Sequence, residues 1–304
     1  MFWVKTAVLL IGMLTAAPAL AAASEVGGAW NVGCGLVGSG QYDAIRAPGQ
    51  PGASHLHDFF GFRNFRSSLS AAEVGGAEAN SCLLKSDNSA YWTPALYQNG
   101  LKVNPSAIWA YYLSPQGAGK ISAYPLGMKI LGGDAYASKP QYQAVRWYCD
   151  WDSTFSGPPQ RPPPCGGILP VDQPDGSSMQ DQLRMQITFP DCWNGQLKLG
   201  SVRYAKQGKC PAGHGRRLPQ LQLNVLYPVQ YPGDNLSLAS GSIITAHADF
   251  VNGWQPAKQQ ALVEACLEQA VDCGRLADRS EEQAWKPSAP IPEQQIRELL
   301  QAGI

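Results

Sequence analysis

Leu221-Gln222-Leu223-Asn224-Val225-Leu226-Tyr227 decides the fold of this chain. Leu221, Leu223, Val225 and Tyr227 take every second position, with Gln222, Asn224 and Leu226 between them. A period of two sends the first set to one face of a strand and the second set to the other. Met185, Ile187 and Phe189 repeat the pattern against Gln186 and Thr188, and Val145, Trp147 and Cys149 repeat it again. Strands with one buried face read as antiparallel sheet packed on a second layer. Gly and Pro punctuate the gaps, at Pro105, Pro125, Gly132-Gly133, Pro190, Pro211 and Pro232-Gly233, where turns belong. The stretch 157–167 (GPPQRPPPCGG) carries too many prolines for a helix or a central strand and is expected to be a loop pinned by Cys165. The predicted fold class is mainly β, a disulfide-stabilised sandwich or jelly roll with short C-terminal helices.

Helix is expected only towards the end. Ala257–Cys266 is rich in Ala, Gln, Leu and Glu, and Leu262 and Cys266 share a face four residues apart. A second short helix is expected to open at Pro292, a good first-turn residue, with Ile296, Leu299 and Leu300 on its apolar side. The other end reads as an export signal. Lys5 precedes an apolar core, Thr6 to Leu14, and Ala19-Leu20-Ala21 and Ala21-Ala22-Ala23 are small-x-small cleavage sites. That core is short for a membrane span, an uncleaved anchor being the alternative. The expected organisation is a signal peptide at 1–23, one secreted β-rich domain at 24–274, and a linker with a short helix at 275–304. The mature protein is then extracellular or periplasmic, with no stable membrane insertion.

Eight cysteines follow that signal, and in an oxidising compartment an even number reads as a disulfide framework. Nearest-neighbour pairing is the guess: Cys34 with Cys82, Cys149 with Cys165, Cys192 with Cys210, Cys266 with Cys273. The last pair carries a condition. Seven residues of helix span about 10 Å, while a disulfide needs Cα atoms within about 7 Å. Either the helix ends before Cys273 or these two do not pair. No C-x-x-C is present, which argues against a cysteine zinc site or a thioredoxin motif. Lys plus Arg number 23 and Asp plus Glu 23, a balance that argues against non-specific nucleic-acid binding.

Chemistry concentrates in two patches. Ser54-His55-Leu56-His57-Asp58 and His247-Ala248-Asp249-Phe250 hold three of the four histidines. In an extended chain His55 and His57 share a face, as do His247 and Asp249. Neighbouring strands on one face of the sheet would gather them into a single pocket. Two chemistries follow. In one, His55, His57 and His247 bind a divalent transition metal (zinc, copper or manganese), with Asp249 or water completing the shell. In the other, an imidazole acts as base and Asp249 orients it. Asp43 is a further acid candidate. A lyase would remove a proton beside a uronate carboxylate, which Lys198 or Arg203 would neutralise. No Glu falls between Glu78 and Glu264, which weakens a two-carboxylate glycosidase. No nucleophile elbow or phosphate-binding loop appears. Tyr91, Trp92 and Trp254 are candidates for stacking on sugar rings.

Five motifs occur in order: Ser54-His55-Leu56-His57, 88–97 (NSAYWTPALY), Phe189-Pro190-Asp191-Cys192-Trp193-Asn194-Gly195, Cys210-Pro211-Ala212-Gly213-His214, and 247–254 (HADFVNGW). Together they resemble DUF1996, a secreted domain-of-unknown-function family of fungi and bacteria, over roughly residues 40–266. The resemblance implies an exported, disulfide-bonded domain linked to extracellular or cell-wall polysaccharide, with no established reaction. It also implies two further histidines where this chain has Lys198 and Ser201. Lys198 would then offer a positive charge to substrate. The leading expectation is a carbohydrate-active enzyme, lyase or hydrolase, built on His55, His57, His247, Asp249 and Asp43. The alternatives are a non-catalytic glycan- or surface-binding module, with or without a bound divalent metal, and a metal-dependent oxidative enzyme.

Overall fold

In the computed structural model, ten strands form one sheet that folds over its own core. It describes residues 27–76, 80–149, 162, 163, 165, 168–172, 178–180, 182–229 and 235–278. The expected signal peptide, most of the proline-rich stretch and the helix at Pro292 lie outside the described residues. The strands are β1 (Ala29–Gly40), β2 (His57–Gly61), β3 (Ala90–Pro94), β4 (Ala107–Leu113), β5 (Lys129–Gly133), β6 (Val145–Cys149), β7 (Leu183–Thr188), β8 (Gln220–Tyr227), β9 (His247–Val251) and β10 (Asp272–Arg275). Their order is β5-β9-β3-β2-β1-β4-β8-β7-β6, with β10 beside β1. Among these ten strands only the β1–β10 pair is parallel.

The alternating segments behave as their spacing requires. Leu183, Met185 and Ile187 of β7 are buried while Arg184, Gln186 and Thr188 are half-buried. Leu221, Leu223, Val225 and Tyr227 of β8 are fully buried. Asn224 on the opposite face is buried too, and its Oδ1 accepts hydrogen bonds from Tyr148 Oη and Gln186 Nε2, which removes the cost of hiding a polar group.

β1 belongs to both halves of the sheet. Its first part pairs with β4 and its last part with β2, and the register shifts between Leu36 and Gly38. An extra residue there bends the strand and turns the β2-β3-β9-β5 half back over the other. Phe60, Tyr91, Ile130 and Phe250 therefore share one core with Ile187, Phe189 and Leu223. The rings of Phe250 and Phe189 lie 6.2 Å apart across it. The opposite face of the same half is covered as well: Phe59, Trp92 and Val251 pack with Ala44, Ile45, Phe62, Leu69 and Val74. Leu69 and Val74 flank and end a short capped helix, α1 (Ala71–Val74).

One expectation is corrected. The histidine-bearing strands β2 and β9 are not neighbours, because β3 runs between them. Every residue of β3 is buried, so its sequence shows none of the alternation that marks a one-sided strand.

All four expected disulfides form: Cys34–Cys82, Cys149–Cys165, Cys192–Cys210 and Cys266–Cys273. The condition on the last is met. Helix α2 (Pro256–Leu262) continues as a π-helical turn to Leu267 and stops. Ala270 takes φ 54° and the chain reverses, leaving the two Cα atoms 5.9 Å apart. No helix among the described residues is long and apolar enough to cross a membrane.

Candidate metal centre

Side chains two apart on β2 and β9 point away from the main core. His57 and Phe59 face outward on β2, with Asp58 and Phe60 inward; His247, Asp249 and Val251 do so on β9, with Ala248 and Phe250 inward. The ladders set Phe59 opposite Trp92, and Trp92 opposite Asp249. One step along, His57 pairs with Pro94, and His247 lies beyond the compact Pro94 ring. The rings of His57 and His247 lie 5.8 Å apart. His55 precedes β2 rather than lying in it. The chain there is still extended enough to hold its ring 4.3 Å from that of His57.

The hydrogen bonds fix which nitrogen faces the gap. His57 Nδ1 lies 2.9 Å from the carbonyl oxygen of Tyr42. His247 Nδ1 lies 2.8 Å from that of Thr245. A carbonyl can only accept, so both rings carry their proton on Nδ1 and leave the Nε2 lone pair free. His57 Nε2 is buried and has no partner. His55 Nε2 and His247 Nε2 are 3.2 Å apart, a contact that a shared proton or a shared cation makes favourable. One nitrogen from each of the three rings falls within 4.8 Å of the others. Tetrahedral zinc ligands bound at about 2.0–2.1 Å stand about 3.3 Å from one another, so the His55–His247 edge matches and His57 would close in slightly. An imidazole whose second N–H is held by a backbone carbonyl is the usual arrangement of a metal ligand. The donor set fits zinc, copper or manganese.

Burial sets the charge states. It holds the His57 imidazole well below its ordinary pKa, helped by the neighbouring His55 and His247, with the Tyr42 hydrogen bond opposing. Burial likewise brings His247 down to about 4, against its bond to Thr245. His55 is lowered by burial and raised in part by Asp43. Burial pushes Asp249 well above the carboxylate range; Asp43 adds to this and Arg46 opposes it. Asp249 Oδ2 has no hydrogen-bond partner and lies 4.0 Å from His247 Nε2.

A cavity of about 320 Å³ opens onto this cluster, with Asp43, Arg46, His55, Tyr136, His247 and Asp249 in its wall. Asp43 is 5% exposed. Its Oδ1 accepts from the backbone N–H groups of Ile45 and Arg46, which fixes the turn that carries Tyr42's carbonyl to His57. At the mouth stands Tyr136, 83% exposed. The five acid and imidazole residues singled out from sequence thus come together. Tyr91, Trp92 and Trp254 do not join them: all three are 0% exposed, packed as core, and present no face to a ligand. Lys198 is exposed on the loop whose next residues, Leu199 and Gly200, line a second cavity. His214 ends a turn, with its Nδ1 3.2 Å from the Ala212 carbonyl oxygen. Sequence reading missed Arg46 and Tyr136. An aromatic side chain following Gly132-Gly133-Asp134 in a turn was the available signal for Tyr136; Arg46 had none.

Residues 43–254 match a family described as Domain of unknown function (DUF1996). No curated protein and no solved structure matches the chain.

Proposed function

The chain belongs to the DUF1996 family, and from that starting point we propose that it is a metal-dependent enzyme, a hydrolase or lyase that opens extracellular or cell-wall polysaccharide at a centre formed by His55, His57 and His247. One observation carries the reading: His57 and His247 each spend Nδ1 on a backbone carbonyl and turn Nε2 towards the same space as His55 Nε2. A bound divalent ion would polarise an oxygen of the substrate and make a coordinated water more acidic. The chain supplies the rest. Two fixed imidazoles and the half-buried His55 would hold such an ion. Asp249, with an unpartnered oxygen 4.0 Å from His247 Nε2, stands where a proton can be taken up or delivered. Asp43 lies across the same cavity.

A glycan is favoured by the open, polar cavity and by the exposed ring of Tyr136 at its mouth, since such rings combine an apolar face with a polar edge and stack on sugars. Four disulfides suit work outside a reducing cytoplasm. The burial of His57 and His247, at 0% and 6% exposure, favours a second reading, a structural metal in a non-catalytic glycan-binding module. Elemental analysis of purified protein separates the chemistry from its absence: about one transition-metal ion per chain is expected, and His57→Ala should lose it. A polysaccharide panel followed for unsaturated uronates and new reducing ends then separates lyase, hydrolase and binder. Metal-free protein that stays metal-free when offered zinc, copper and manganese would overturn the proposal.

A further inference from the structure

The cavity over the histidines does not end there. A second one, of about 400 Å³, shares Arg46, Leu131 and Gly133 with the first. Its charged wall is one-signed. Arg46, Lys129 and Arg203 line it, and no Asp or Glu does. Among the described residues none of the three has a carboxylate within ion-pair distance. Lys129 Nζ gives one hydrogen bond, to the Ala44 carbonyl at 2.9 Å, which steadies it and leaves two N–H groups free. The fold treats other inward cations differently: Lys102 pairs with Asp58, and Arg217 with Asp191. In a chain whose acids and bases are equal in number, three cations with no carboxylate partner among the described residues around one cleft constitute a local excess, and low-dielectric walls focus its field.

We infer that the substrate is an acidic glycan, one bearing carboxylates along its length, and that Arg46 seats the carboxylate of the sugar beside the reacting bond. The inference rests on the proposed function, of which it specifies the substrate class. Arg46 borders both cavities, so an acid group held there puts the adjoining bond over the histidine cluster. Arg203 and Lys129 take the next acid groups on one side, and Tyr136 meets the sugar on the other. The planar guanidinium of Arg46 matches a carboxylate with two parallel hydrogen bonds.

The test uses full-length protein with polygalacturonate, the same polymer with its carboxyls methyl-esterified, and neutral mannan, each in a binding titration at low and high salt. Polygalacturonate is expected to bind at least about tenfold more tightly than its ester, as expected for charge-assisted hydrogen bonds, with a preference that shrinks in salt. The double variant Arg46→Gln, Arg203→Gln should lose about tenfold of that affinity while keeping its fold and metal content. Equal binding of acid, ester and mannan overturns the inference, as does a double variant that binds like the parent. The two readings fail separately. Turnover of neutral mannan alone would leave a metal enzyme and remove the acidic substrate; salt-sensitive binding with no turnover of any polymer would leave the acidic ligand and remove the enzyme.

Discussion

Asp87 is fully buried at the head of a hydrogen-bonded chain of side chains. Tyr91 donates to its Oδ2 at 2.7 Å, the Tyr91 and Tyr112 hydroxyls lie 2.6 Å apart, and Trp254 Nε1 donates to Tyr112 at 2.8 Å. Burial pushes the Asp87 carboxyl up to about 6, against the hydrogen bonds from Ser89 and Tyr91. Its folded pKa therefore lies above its unfolded one. Between the two values the fold holds a proton that the unfolded chain has released. The stabilisation is complete below about pH 4 and lost as pH rises through about 6, on the order of 3 kcal/mol at about 1.4 kcal/mol per unit. Asp87→Asn, which cannot ionise, should lack this decline. Its urea midpoint, measured from pH 4 to 6.5, should rise relative to the parent, and parallel curves would refute the assignment. At this scale the site was half legible. His55, His57, His247, Asp249 and Asp43 could be picked out because imidazoles are few and lie two apart. Tyr42 and Thr245 could not, because what they contribute is a carbonyl oxygen, and every residue has one. The aromatic candidates failed for a related reason: Tyr and Trp fill cores as readily as they line clefts.

β5 ends on Gly133 at φ 73°, a conformation that strains any side-chain-bearing residue. A Cβ there would lie 2.6 Å from the Ala246 oxygen and 3.1 Å from His247 Cα. The glycine thus lets β5 close against β9 at His247, one of the three proposed metal ligands. Gly133→Ala is expected to cost roughly 2–3 kcal/mol, strain and clash combined, and to weaken zinc binding as His247 shifts. Gly49 offers the control, with the same φ of 73° and no atom within 4 Å of its would-be Cβ. Gly49→Ala should cost about 1 kcal/mol and leave zinc binding alone; equal zinc affinities in the two variants would remove the link to His247. Strands β6, β7 and β8 announced themselves because one face of each is wetter than the other. β3 did not, and with it went the sheet order around the histidines. Strand pairing over long separations leaves no mark in local periodicity, so which strand sits between which is a property of packing.

The three imidazoles come from residues 55, 57 and 247, with Tyr42 behind them, so one ion would join the early turn, β2 and β9. An ion bound only by the folded chain stabilises it by mass action, about 2.7 kcal/mol at a hundredfold excess over its dissociation constant. Chelation should lower the melting temperature by about 5–10 °C for a chain of this size. His57→Ala should melt at the same temperature with and without chelator. A wild-type protein indifferent to chelation would count against the ion at this position. The mainly β class was readable from composition and alternation, while the nearest-neighbour disulfide pairing was a guess that the fold bears out. The doubling back of the sheet was not readable, since it depends on one strand serving two halves.

That shared strand has a further consequence. The parallel pair sets Ala29 beside Asp272, so the described chain enters and leaves at one pole. Gly40, at the far end of β1, is opposite His57. Twelve residues of strand measure at most about 36 Å from first Cα to last. A tether, tag or fusion partner joined directly at either end of the described chain would therefore hold the molecule by the pole remote from its cleft, with the opening left clear to meet a polymer larger than itself.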